Sequence, residues 1–189
     1  MRIVGGSRRG ARLAALGAGD EAARLRPTSD RVREALFNLL AHGGYAVPAP
    51  PSGMRALDLF AGTGALGIEA LSRGAVEAAF VESGRVALGL LRANIARLGI
   101  GEAARVLERD ATRLGPNPGP PFGLVFLDPP YDQGLGEPAV AAAHAGGWIA
   151  PGALVVWEER ATMAPPAGLT LLDARRYGGT MISVFRSPA

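Results

Sequence analysis

From Met54 onward, short apolar runs alternate with helical segments, and this alternation limits the possible folds more than any other feature of the chain. RALDLF (55–60), AAFVES (78–83), RVLERD (105–110), LVFLDPP (124–130) and ALVVWEE (153–159) are nearly continuously apolar, as strands covered on both faces must be. Between them ALGIEALSRG (65–74), GRVALGLLRANIARLG (84–99) and EPAVAAAHAGGW (137–148) read as helices. LTLLDARRYG (169–178) and TMISVFR (180–186) predict a closing antiparallel pair. The pattern predicts a doubly wound, Rossmann-like α/β sheet with helices on both faces. Such sheets take ligands beyond the carboxyl ends of their strands, so the residues there carry the functional reading.

The first third of the chain reads differently. RIV and ARLAAL flank the turn GGSRRG, which predicts a β-hairpin with Arg8 and Arg9 near its tip. TSDRVREALFNLLA then predicts a helix capped by Thr28, Ser29 or Asp30, with Val32, Leu36, Leu39 and Leu40 on one face. The Pro- and Gly-rich stretch GGYAVPAPPSG (43–53) reads as a linker. Residues 1–50 are therefore expected to form an extension, and residues 51–189 the main domain.

Charge distribution gives that extension a role. All 20 basic residues are Arg. Eight of them fall in the first 36 residues against four acids, a local +4 that exceeds the +3 of the whole chain. A basic face suits a polyanion, although a merely solvated face has the same composition. No apolar run approaches the ~18 residues of a membrane span. MRIVGGSRRG does not read as a signal peptide, so a cytoplasmic protein is expected. The absence of cysteine excludes disulfides, thiolate metal sites and thiol nucleophiles. His42 and His144 are not spaced to bind a metal as a pair, and none is expected.

Each of the first four strands carries an acid at or near its end: Asp58, Glu82, Asp110 and Asp128. After the first comes GTGALG, a literal G-x-G-x-x-G and thus the spacing of a dinucleotide loop. Asp58, four residues before Gly62, argues against a pyrophosphate there, because a carboxylate repels phosphate. It suits an ammonium or sulfonium group. Gly62 and Gly64 would allow close backbone approach to a ligand, and Gly67 close packing of helix on strand. Glu82 can accept from both hydroxyls of a ribose, which fits any adenosine-type ligand. Asp110 could accept from an adenine amino group, or cap the turn that follows.

LVFLDPPY is the most specific stretch. Each residue before a proline is pushed into an extended conformation, and neither proline offers an N–H. The loop is thereby stiff, with the Asp128 carboxylate and backbone carbonyls available to outside donors. Tyr131 adds an aromatic face. Together they suit a flat ring bearing an amino group.

DLFAGTGALG, VES, Asp110 and DPPY together resemble S-adenosylmethionine-dependent methyltransferases that act on exocyclic amino groups of bases. MRIVGGSRRGARL, RPTSDRVREALFNLL and ALDLFAGTGALGIEALSRGA are similar to the RsmD family, which methylates the N2 amino group of a guanine in 16S ribosomal RNA. The resemblance implies a class I methyltransferase fold: a seven-stranded, mostly parallel sheet with a C-terminal antiparallel pair and an N-terminal hairpin extension. It implies S-adenosylmethionine held by Asp58, Phe60, Gly62, Gly64 and Glu82, with Asp110 and Ala111 near its adenine. Asp128, Pro129, Pro130 and Tyr131 would hold and orient the target base. Arg8, Arg9, Arg12 and Arg26 would bind RNA. The implied partner is 16S rRNA in an assembled or nearly assembled 30S subunit, and a monomer is expected. ATRLGPNPGPPFG (111–123) departs from the pattern, being short and Pro-rich, so a helix is not expected there. The rival reading is a DNA or other RNA amino-methyltransferase acting on adenine N6 or cytosine N4, which DPPY fits as well. Its weakness is that little chain remains for reading a DNA sequence.

Overall fold

The computed structural model describes residues 1–14, 29–131, 133–161 and 163–189. Seven strands form one sheet: β1 (Arg55–Leu59), β2 (Glu77–Glu82), β3 (Ala104–Glu108), β4 (Phe122–Leu127), β5 (Ile149–Glu159), β6 (Thr170–Tyr177) and β7 (Thr180–Arg186). Their order is β3-β2-β1-β4-β5-β7-β6. β1 to β5 run parallel, whereas β7 pairs antiparallel with both β5 and β6. The expected doubly wound sheet and its closing pair are therefore present. The helices are α1 (Asp30–His42), α2 (Ala65–Ser72), α3 (Arg85–Leu98) and α4 (Gly136–Ala145).

The apolar strands alternate between two buried clusters, one on each face. Leu124 and Phe126 of β4 join Leu36, Phe37, Ile68, Leu71 and Leu91 from α1, α2 and α3. Val125 and Leu127 of the same strand join Ala139, Val140 and Ala143 of α4 with Trp148 and Trp157. Burial on both faces is why these strands read as continuous apolar runs. Between β3 and β4 only a 3-10 turn, Ala111–Arg113, breaks the loop. Pro116, Pro118, Pro120 and Pro121 supply no N–H for a helix.

Ser29 caps α1, its side chain accepting from the Val32 N–H at 3.2 Å. The buried face differs from the expected one: Arg33 and Phe37 are buried with Leu36, Leu39 and Leu40, while Val32 is only half-buried. Phe37 packs against Phe126 of β4 with ring centroids 5.6 Å apart. Arg33 donates to the Arg2 carbonyl and, at 2.7 Å, to Asp30. A buried cation is tolerated only when paired in this way.

Among the described residues the hairpin is present as a single bridge rather than as two strands, and Ala15 and Leu16 of its second segment lie outside them. Arg2 bridges Arg12, the Ile3 N–H donates to the Ala11 carbonyl at 2.9 Å, and that of Leu13 to the Met1 carbonyl at 3.2 Å. A 3-10 turn, Gly6–Arg8, forms its tip. Ile3 and Leu13 join the same core cluster as α2. Among the described residues, no helix is long and apolar enough to cross a membrane.

Candidate cofactor and target-base site

Strand order puts β3, β2, β1 and β4 side by side, so Asp110, Glu82, Asp58 and Asp128 line the carboxyl rim of adjacent strands. They are not equivalent. Asp58 is 1% exposed, and its Oδ2 accepts from the Gly67 N–H at 2.9 Å, in the first turn of α2. Burial dominates its ionisation. The carboxyl is pushed up to about 7, with the Gly67 bond opposing and the charge of Glu82 adding to the rise. Asp58 therefore changes charge near neutral pH.

Glu82 spans the loop. Its Oε2 accepts from the Gly62 N–H at 2.8 Å, and its Oε1 from the N–H groups of Ser83 at 2.8 Å and Gly84 at 2.7 Å. Each carboxylate oxygen has about two lone-pair sites, so Oε2 retains capacity for a hydroxyl donor. The loop between them is tightly wound: Phe60, Gly62 and Gly64 have φ of 63°, 57° and 84°. Left-handed Phe60 costs roughly 1–3 kcal/mol and persists only because its surroundings fix it. Gly64 has an internal reason that the sequence did not reveal. A Cβ there would lie 2.5 Å from Leu91 Cδ1 of α3. Gly67 packs as expected, since a Cβ would meet the Phe80 ring of β2 at 2.4 Å.

Asp110 lies past the end of β3 rather than within it. Its exposed carboxylate caps the following turn, Oδ1 accepting from the Thr112 N–H at 2.8 Å and hydroxyl at 2.7 Å. These bonds hold its pKa below the usual carboxylate value. Ala111 beside it is buried.

Asp128 is half-buried one residue beyond β4, followed by buried Pro129 and exposed Pro130. Tyr131 is half-buried, and its hydroxyl lies 3.1 Å from Oε1 of Glu158, a buried residue of β5. Burial pushes the phenol up to about 12. A Thr180 hydroxyl opposes this, and the Glu158 and Asp128 charges add to it. Tyr131 thus stays neutral and keeps donating. The Arg160 guanidinium lies over its ring, 5.2 Å from the centroid. Sequence reasoning missed Glu158 and Arg160. The available signal was WEER (157–160), another strand ending in acids at the same rim.

The hairpin is latched to α2 and α3 by buried polar groups. Glu69 accepts from the Val4 N–H at 2.8 Å and from Arg73 at 2.7 Å. Ser72 Oγ donates to the Gly5 carbonyl at 2.6 Å and accepts from the Arg8 N–H at 2.9 Å. Asn94 accepts from the Ala14 N–H at 2.6 Å and donates to the Thr63 carbonyl in the glycine loop at 2.9 Å. The base of the hairpin is therefore tied through Asn94 to the glycine loop, while its tip lies at the far end of α2. Ser72, which holds the Arg8 N–H, is about 12 Å from Gly64 along the helix axis, since eight residues rise ~1.5 Å each. Arg9 and Arg12 are exposed and Arg8 half-buried, its Nη1 donating to Ser7 at 3.3 Å. Arg26 lies outside the described residues. Among those described, no cluster of three His, Asp or Glu is placed to hold a metal ion.

The profile of the family described as conserved hypothetical protein 95 matches residues 1–186. The chain is 42% identical to ribosomal RNA small subunit methyltransferase D of Escherichia coli, over 84% of this chain and 74% of that one. It is 35% identical to the enzyme of the same name in Haemophilus influenzae, over 94% and 89%. The solved structure of the Escherichia coli yhhF protein superposes with a TM-score of 0.81 at 37% identity, covering all of this chain and 98% of that one. The chain belongs to the RsmD family, and its fold is that of a class I methyltransferase.

Proposed function

We propose that this protein methylates the exocyclic N2 amino group of a guanine in 16S ribosomal RNA, using S-adenosylmethionine, on an assembled or nearly assembled 30S subunit. The observation that carries this reading is the Asp128-Pro129-Pro130-Tyr131 loop, held at the end of β4 beside the glycine loop of β1. The names of the Escherichia coli and Haemophilus influenzae relatives support ribosomal RNA as the substrate.

The donor set fits the cofactor. Glu82 Oε2 retains acceptor capacity for a ribose hydroxyl, and buried Asp58 holds the Gly67 end of the loop in place against the ligand. Phe60, Gly62 and Gly64 shape the backbone that would lie against it, with Asp110 and Ala111 on the adenine side. When bound, S-adenosylmethionine supplies a methyl carbon already activated by its sulfonium.

The protein's task is then to aim a poor nucleophile. The N2 lone pair of guanine is delocalised into the ring. The Asp128 carboxylate and the Pro129 carbonyl accept hydrogen bonds from the amino group and localise that pair, while Pro130 stiffens the loop. Tyr131 stacks on the flipped base, a contact worth ~1–3 kcal/mol. In-line displacement needs little beyond this positioning. Residues 1–50 serve as the rRNA-binding extension of a catalytic domain spanning 51–189, with Arg8, Arg9, Arg12 and Arg26 on phosphates. The enzyme acts as a cytoplasmic monomer without a metal.

Labelled S-adenosylmethionine offered with unmethylated small subunits, free ribosomal RNA or DNA tests this reading. Label is expected in the rRNA of the subunits. Label in DNA alone would refute it.

A further inference from the structure

Glu69 and Ser72 hold the hairpin from α2 by the backbone of Val4, Gly5 and Arg8. Asn94 of α3 differs from them, because the two ends of its amide bond to separate parts of the chain. Its Oδ1 accepts from the Ala14 N–H at 2.6 Å. Its Nδ2 donates to the Thr63 carbonyl at 2.9 Å and, at 3.4 Å, to the Ala14 carbonyl. Asn94 is 0% exposed, so an end that lost its partner would stay dry and unpaired. Thr63 lies between Gly62 and Gly64, both at positive φ, and its carbonyl fixes the peptide plane that leads into Gly64. The other side of the hairpin meets the same residue, with Met1 Sδ 4.0 Å from the Thr63 hydroxyl. A side-chain amide is one flat group with its acceptor and its donors at fixed places. Ala14 and Thr63 therefore keep their bonds only in one orientation of Asn94.

Resting on the reading of residues 1–50 as the rRNA-binding extension, we infer that Asn94 is a positioning residue that couples rRNA binding by the hairpin to the shape of the cofactor loop. Two states are involved. In one, Ala14 is docked on Asn94, and the amide holds the Thr63 carbonyl and with it the turn into Gly64. In the other, Ala14 has left, and the amide is no longer kept turned toward Thr63. The second state is within reach because, among the described residues, the hairpin is joined by a single bridge, Arg2 with Arg12, rather than by paired strands. Arg12 is exposed two residues before Ala14, so a phosphate held there acts on the strand that carries the Asn94 bond. An rRNA held at once by Arg12 and by the Asp128 loop fixes the hairpin relative to the sheet and favours the docked state. A cofactor that needs the loop in its wound shape favours the same state. Each ligand therefore tightens the other by the same factor, since coupling between two sites is reciprocal. The methyl donor is then held most firmly when a substrate is present.

The first test needs no variant. S-Adenosylhomocysteine, which has no methyl group to transfer, is added to the unmodified enzyme, and hydrogen exchange is followed by mass spectrometry. Exchange across residues 2–14 is expected to slow by about fivefold or more, although the ligand binds at the loop. Protection confined to the loop would overturn the coupling. Equilibrium dialysis of labelled S-adenosylhomocysteine, with and without saturating unmethylated small subunits, reads the coupling from the other side. Subunits should tighten the ligand by about fivefold or more. In Asn94→Leu, which keeps the volume and removes both bonds, Glu69 and Ser72 still hold the hairpin. Subunits should still bind this variant, while both effects fall toward unity. Both effects intact in Asn94→Leu, or subunits that bind the unmodified enzyme without tightening the ligand, would overturn the inference. The measurements on the unmodified enzyme decide it if Asn94→Leu does not fold. Subunits that are neither bound nor methylated by the unmodified enzyme would instead remove the proposed function, and the rRNA half of this inference with it.

Discussion

The glycine loop of β1 and the Tyr131 corner lie on adjacent strands, yet they are held in opposite ways. The loop is locked from within: Asp58 holds Gly67, Glu82 holds Gly62, Asn94 holds the Thr63 carbonyl, and Leu91 fills the space beside Gly64. The Tyr131 corner is held from its edge, with Glu158 and Thr180 at the hydroxyl and the exposed Arg160 guanidinium over the ring. The rigid half suits a small ligand with one shape. The yielding half suits a base that must be admitted, stacked and released. Breaking the first should cost stability and cofactor affinity together, whereas breaking the second should cost transfer while the fold survives.

Asp128→Ala should give the largest effect. Transfer is expected to fall by more than about 100-fold, comparable to removal of one electrostatic stabilising group, while cofactor affinity by calorimetry stays near that of the unmodified enzyme. Parallel loss of both would merge the two halves into one. Gly64→Ala attacks the rigid half, forcing a Cβ toward Leu91 at a residue with φ of 84°. A loss of about 1–3 kcal/mol in urea unfolding is expected, with weaker cofactor binding. A variant as stable as its parent would show that Leu91 yields freely.

Asp58 gives a pH signature. Its folded pKa of about 7 lies above the ordinary value of 3.8, so between them the folded state holds more protons than the unfolded one. The contribution of Asp58 to stability is therefore fullest at low pH and declines as pH rises through that window. Asp58→Asn should flatten the decline, read as unfolding free energy at stepped pH. An unchanged slope would move the titrating group elsewhere. The smallest effect is expected at the hairpin tip. Arg8→Ala with Arg9→Ala should leave cofactor affinity intact and flatten the salt dependence of RNA binding by ~0.7–0.9 log units for each phosphate no longer neutralised. A retained slope would restrict RNA binding to the end of the sheet that carries Tyr131.

The sheet was legible because burial on both faces leaves a mark that local sequence carries, as in RALDLF and LVFLD. Gly67 was legible for a similar reason: packing of α2 on β2 is built into the spacing of the loop. The burial of Asp58, the packing of Gly64 against Leu91 and the latching of the hairpin were not. They depend on partners far apart in the chain, such as Val4 with Glu69 or Ala14 with Asn94. The hairpin tip shows the consequence. Its arginines were readable as a basic cluster, but their position at the far end of α2 follows from Ser72 holding Gly5 and Arg8. Arg160 was readable as the end of WEER at the same rim, but its place over Tyr131 follows from the pairing of β5 with β4.

The most direct measurement is the identity of the methylated nucleoside after transfer to small subunits, by digestion of the 16S rRNA and mass spectrometry against standards. A yielding pocket that holds a guanine by its amino group requires N2-methylguanosine, absent when Asp128→Ala replaces the unmodified enzyme. Methylation on adenine N6 or cytosine N4, or N2-methylguanosine formed equally well by Asp128→Ala, would contradict it.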